Sequence, residues 1–424
     1  MSENIVPGNR IIPFDSDSWT NWTPRAEIAP LFRRENTGNT ALLEIESHSF
    51  NNFGKWVCTL NDIPGGKEFN FQVEYLPKDV EYERLSIFAM LTWRDSKGRL
   101  AGRDYADQVD TLADGWKSLH RTVVSPDSTW SVTIELGFRW TDKGSVTWRN
   151  PVFCETGKRL EKRMVRVATT SLKTRHDPAM NLEVMKEYID KAGQAGADIV
   201  CFTEAFYGMF AGIAPEEISQ PVPGDLTRAL GEKAKENGIY VIFSMYERIG
   251  ANIYNTEVLL DRNGDVAGKY HKVHLPFVEG EEGVTPGREY KVFQTDFGVI
   301  GPLICWDQEF PEAARCVAEL GAEIIFISTI GNEPLMQAAR AKDNGVYVVV
   351  AGMYGPESSK VIDPFGEVIA TVRTQNPGLD EGICVVDIDL NKRHFTDWLS
   401  LGPCPCEPRH IYINERRKDT YGGL

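Results

Sequence analysis

The sequence predicts a two-part α+β chain: an antiparallel β-sandwich of jelly-roll type, followed by a layered α/β domain. Three observations point there. Runs in the first ~155 residues alternate apolar and polar side chains with a period of two. From about residue 163 strand-like and helix-like runs take turns. A length of 424 residues is more than one ordinary core organises and suits two or three.

In the first part, "SVTIELGFRW" puts Val132, Ile134, Leu136, Phe138 and Trp140 on one face, with Thr133, Glu135 and Arg139 on the other. "FNFQVEY" does the same with Phe69, Phe71, Val73 and Tyr75. Turn-forming "IPGGKE", "DSKGR", "DGW" and "TDKGS" separate such runs, the pattern of an antiparallel sandwich spanning 1–157. Tryptophans 19, 22, 56, 93, 116, 130, 140 and 148 fall in this part and suit either a sugar-stacking surface or a core. The phase of Trp140 with four apolar neighbours favours the core. In general pattern this part resembles the β-sandwich of carbohydrate-binding modules. The charged "ETGKRLEKR" that follows reads as a connector.

The second part opens on the strand "RMVRVATTSL" and the helix "NLEVMKEYIDKAGQAGA". The strand "DIVCFTE", the helix "LTRALGEKAKENG" ending at a glycine, and the strand "IYVIFSMYE" come next. Further on are "EIIFIST", the helical "PLMQAARAKDNG", the strand "VYVVVAG" and the hairpin "SKVIDPFGEVIA". This domain spans 163–391, and residues 392–424, with "LGPCPCEPR", read as an extended tail.

Composition narrows the function. A hydrophobic fraction of 42% with 25% charged residues is that of a folded, soluble chain. A net charge of −15 disfavours nucleic acid and anionic membrane as partners. No apolar run approaches the ~20 residues of a membrane span, and "MSENIVPGNR" has no secretory pattern. Eight scattered cysteines suggest reduced thiols in a cytoplasm. Neither "CPC" at 404–406 nor the seven histidines have metal-ligand spacing, so neither a metal nor another cofactor is expected.

Three strand ends carry chemistry: "DIVCFTE" ends at Glu204, "GKYHKVHLP" carries Lys272, and "VIGPLICWD" carries Cys305. A cysteine at a strand-to-helix turn lies near amides that favour thiolate. A carboxylate can take its proton and return it to a leaving amine. A lysine can stabilise the charge of a tetrahedral intermediate. His271 and His274 flank Lys272, but alternation points Lys272 away from His271, so both histidines read as supporting groups. Cys316, within the following helix, reads as packing.

"FTEAFYG", "YHKVHLP", "LICWDQEFPEAAR" and "RAKDNGVYVVVAG" occur in an order and spacing that resemble the nitrilase (carbon–nitrogen hydrolase) superfamily, over residues ~163–390. The resemblance implies a four-layer α-β-β-α sandwich that assembles into dimers or larger homo-oligomers. It implies Glu204 as general base, Lys272 as stabiliser of the intermediate, Cys305 as nucleophile and the amide of Trp306 as oxyanion donor. The resemblance also implies a second glutamate shortly before a Pro-Gly; Glu279, Glu281 and Glu282 are the candidates, the spacing before Pro286 departs from the family pattern, and Glu281 is the choice. Thr203 stands where the family usually has proline.

"CWDQEFPEAAR" is similar to the amidase and N-carbamoyl hydrolase branches rather than to true nitrilases, which tend to read Cys-Trp-Glu. Glu309 would repel a carboxylate near the pocket mouth and suit a neutral or cationic amide or ureido substrate. A nitrilase, an amide-forming acyltransferase with the same triad, and a non-catalytic scaffold are the alternatives.

Overall fold

The computed structural model describes residues 18–37, 40–157, 161–353, 357–372, 381–397 and 400–421. The opening stretch and residues 158–160 of the expected connector lie outside them. Two compact units emerge, one formed by Met1–Glu161 with Arg393–Leu424, the other by Lys162–Lys392. Among the described residues no helix is long and apolar enough to cross a membrane.

The first unit holds a five-stranded and a six-stranded sheet, with antiparallel pairings throughout. Strand Ser131–Arg139 runs between Phe53–Asn61 and Ile87–Arg94. Its Val132, Ile134, Leu136 and Phe138 share one core with Phe69, Phe71, Val73 and Tyr75 of the other sheet. Burying one face of each strand in that core fixes the register of both sheets. Trp140 does not continue the apolar row. The strand stops at Arg139, and Trp140 adopts a left-handed φ of 53°, half-buried beside Phe53 and under the Arg139 guanidinium. Trp19, Trp56, Trp93 and Trp148 are core residues, whereas Trp22 and Trp130 are exposed.

Residues 393–424, read from sequence as an extended tail, fold into this unit. Thr396–Asp397 pairs with Pro405–Cys406, and Pro408–Asn414 is helical. Leu401, Cys406 and Ile411 pack on Phe88, Met90 and Tyr105. Glu135 and Arg139, on the strand face opposite the apolar row, are buried as well. Arg393 bridges Asp104 at 2.5 Å and Glu407 at 2.8 Å, and Arg121 reaches Glu407 at 2.8 Å. Cys404 and Cys406 are buried, and all eight cysteines are free.

The second unit has two six-stranded sheets. Parallel strands Met164–Ser171, Ile199–Cys201 and Tyr240–Ile249 centre one; Val299–Ile304, Ile324–Ser328 and Tyr347–Ala351 centre the other. Helices Pro178–Gln194 and Asp225–Asn237 cover the outer face of the first. Helices Pro311–Glu319 and Pro334–Asn344 cover that of the second. A third apolar layer, including Ile199, Leu259, Tyr270, Ile304 and Phe326, fills the space between the sheets. The helix ends follow local chemistry: Asp177 caps Met180 N, and Gly238 and Gly345 close two helices at positive φ. Toward the carboxyl ends of the parallel strands the inter-sheet layer turns polar, with Thr203, Glu204, Ser328 and Thr329 all buried.

Candidate active site

Two strand ends leave regular geometry at the residues that carry chemistry. Strand Ile199–Cys201 runs on to Glu204, and Ala205 then takes a left-handed φ of 46° while its N–H donates to Ser244 Oγ at 2.6 Å. Strand Val299–Ile304 ends at Cys305, itself left-handed at φ 41°, which opens the 3₁₀ turn Cys305–Glu309. Such a conformation costs a non-glycine residue on the order of 1–3 kcal/mol and persists only where its surroundings enforce it. Asp307 supplies that enforcement at Cys305. Its Oδ2 accepts from Ile304 N at 3.1 Å and Tyr270 Oη at 2.8 Å, and its Oδ1 accepts from His274 N at 2.9 Å. The cysteine turn is thereby tied to the segment bearing Lys272.

Lys272 Nζ lies 2.7 Å from Glu204 Oε1 and 2.6 Å from Glu279 Oε1. Asn255 Nδ2 donates to Glu204 Oε1 at 3.0 Å, and the Asn255 carbonyl accepts from Lys272 N at 2.9 Å. Glu204 and Lys272 are both buried, so these pairings are shielded from water and strengthened accordingly. The Cys305 thiol feels both Glu204 and Thr329. Thr203 donates its hydroxyl to the Thr329 carbonyl.

The electrostatics divide the roles. Burial pushes the Cys305 thiol up to about 12, Glu204 adds to the rise, and Lys272 opposes it. Burial works against the Lys272 ammonium, but Glu204 and Glu279 outweigh it and hold its pKa above the ordinary value. Burial raises Glu279, against the pull of Lys272. The resting site therefore holds a protonated thiol and a charged lysine, with Glu204 beside both, an arrangement suited to base-assisted thiol attack.

The sequence-predicted residues Glu204, Lys272 and Cys305 come together. Glu281 does not join them. It is exposed at the end of the helix Phe277–Glu281, whereas Glu279 reaches Lys272. Two residues on is about 200° round a helix, so only one of the two can face the lysine. Trp306 is exposed, its ring edge-on to Phe310 at 6.2 Å. Glu309 is partly buried, and buried Arg340 donates to the carbonyls of Gln308 at 3.0 Å and Glu309 at 3.1 Å. His271 pairs with Glu247 at 2.9 Å, and His274 stacks on Phe310 beside Asp307. Sequence reasoning missed Asn255, Ser244 and Thr329 and gave Asp307 no structural part. Strand parity was the available signal for Asn255, which shares a face with the inter-sheet Leu259.

The profile of the carbon-nitrogen hydrolase family matches residues 166–396. Omega-amidase NIT2-B of Xenopus laevis is 33% identical over 234 residues, 50% of this chain and 83% of its own. N-carbamoylputrescine amidase of Solanum lycopersicum is 30% identical over 269 residues, 55% of this chain and 88% of its own. Among solved structures, an amidase from Nesterenkonia sp. AN1 aligns at 26% identity and a TM-score of 0.46, covering 54% of this chain and 95% of that one.

Proposed function

The chain belongs to the carbon-nitrogen hydrolase family, and within it we propose that this protein hydrolyses small non-peptide amides or N-carbamoyl compounds through a thioester on Cys305. The observation that carries the reading is the convergence of half-buried Cys305 with the buried pair Glu204 and Lys272.

Glu204 takes the thiol proton as sulfur attacks the carbonyl carbon, and the tetrahedral oxyanion is met by the Lys272 ammonium and the amide of Trp306. Glu204 passes the proton to the leaving nitrogen, which departs as ammonia or an amine. Water then attacks the thioester, giving its proton to Glu204, and the acid product leaves as the thiol is restored. Glu279 orients the lysine from its second side.

Glu309 suits a neutral or cationic substrate. In support, the guanidinium of Arg340 is engaged by two backbone carbonyls rather than presented to a substrate carboxylate. The first unit reads as a jelly-roll sandwich acting on assembly or on access, in a homo-oligomeric cytoplasmic enzyme. The test is ammonia release by the purified protein against a panel of linear amides, ureido amines and nitriles. Turnover of a neutral amide or ureido amine is the expected result. Turnover of nitriles alone contradicts the reading.

A further inference from the structure

Glu257 lies two residues along the strand Asn252–Leu260 from Asn255, on the same face, and is fully buried. Its Oε1 is 2.7 Å from Ser328 Oγ, and that same Oγ is 2.8 Å from the carbonyl oxygen of Phe202. A serine hydroxyl carries one hydrogen, and a carbonyl can only accept. With Ser328 donating to Phe202, the contact to Glu257 is a hydrogen bond only if the carboxyl supplies the hydrogen. The titratable groups around it are Cys201, whose Sγ is 3.8 Å from Ser328 Oγ, its cross-strand partner Tyr270, and Glu204 and Asp307. All are acids, and no ion pair to Glu257 occurs among the described residues. Burial, with Glu204 and Asp307 adding to it, holds the carboxyl well above the usual range.

We propose that Glu257 is a permanently protonated positioning residue, donating to Ser328, which in turn fixes the Phe202 carbonyl two residues before the base Glu204. The proton does two things. It ties the strand Asn252–Leu260 to the strand ends bearing Glu204 and Thr329 on the two sheets. It also keeps a further negative charge from the neighbourhood of Glu204, the base for Cys305, and of Asp307. The inference rests on the reading of Glu204 as the base for Cys305.

The test compares wild type with Glu257→Gln and Glu257→Leu. An infrared difference spectrum at neutral pH is expected to show a protonated-carboxyl C=O band in the wild type that Glu257→Gln removes. The pH profile of Cys305 alkylation by iodoacetamide should be the same in Glu257→Gln, whose amide N–H replaces the donor. Glu257→Leu keeps bulk without a donor, and kcat on the best amide found should fall about tenfold to a hundredfold with KM little changed. No carboxyl band lost in Glu257→Gln, or an alkylation profile moved to lower pH as removal of a real negative charge would cause, overturns the proposal. Neither of those readouts needs turnover, so failure of every amide substrate would count against the proposed function and leave this inference standing.

Discussion

The ammonium of Lys272 lies 2.6 Å from Glu279 Oε1, the second carboxylate to reach it after Glu204. Glu279→Gln should therefore lower kcat/KM by about two orders of magnitude, while the exposed Glu281→Gln stays near wild type. Steady-state kinetics of the two variants side by side make the check. The reverse ranking would restore Glu281 as the partner.

Glu204→Gln cannot accept the thiol proton, and Lys272→Met removes the charge facing the oxyanion. Each should cost two to four orders of magnitude in kcat, on the order usual for such groups. Lys272→Met also leaves buried Glu204 and half-buried Glu279 without their cation, so it should lose on the order of 3–5 kcal/mol in denaturant unfolding. Near-normal kcat/KM in either variant removes that residue from the mechanism.

How much of this was legible follows from what a sequence records. Period-two alternation is visible wherever one strand face is buried, so "FNFQVEY" was readable and the sheet core followed from it. Alternation counts positions and says nothing of φ, which is why Trp140 was misplaced past the end of its strand. Phe277–Glu281 is too short to show a period, so Glu279 could not be told from Glu281 by spacing. The segment after residue 392 packs through Leu401, Cys406 and Ile411, set among turns with no repeat. Asp307 and Asn255 are polar residues satisfied inside the protein, and sequence alone does not separate those from surface ones.

The raised thiol gives a pH signature. An ordinary cysteine titrates near about 8.5, whereas Cys305 is pushed up to about 12. Its alkylation by iodoacetamide in the free enzyme should keep rising with pH through the ordinary range without levelling off, followed by peptide-resolved mass spectrometry. A plateau below the ordinary midpoint would show a resting thiolate instead of a thiol awaiting its base.

The segment after Lys392 should be needed by the first unit. Arg393→Met leaves buried Asp104 without its cation and half-buried Glu407 with Arg121 as its remaining arginine, and should destabilise the protein by about 3 kcal/mol. Burial works against the Glu407 carboxylate, but Arg393, Arg121 and His410 outweigh it and hold it down to about 2. Because the folded value is depressed, this contribution is fully present above the unfolded pKa of about 4.3 and is lost as pH falls toward 2. Limited proteolysis of the C-terminal segment across that window reads it out. Cleavage that does not change with pH or with Arg393→Met would show the segment is held by its apolar contacts alone.

The most direct test of the account is mass spectrometry of the acyl-enzyme, trapped by acid quench during turnover of an amide that releases ammonia. The account predicts a thioester adduct on the peptide carrying Cys305, absent in Cys305→Ala, which should fold normally and release no ammonia, and still present in Cys316→Ala. An adduct on any other cysteine, or ammonia release by Cys305→Ala, would contradict it.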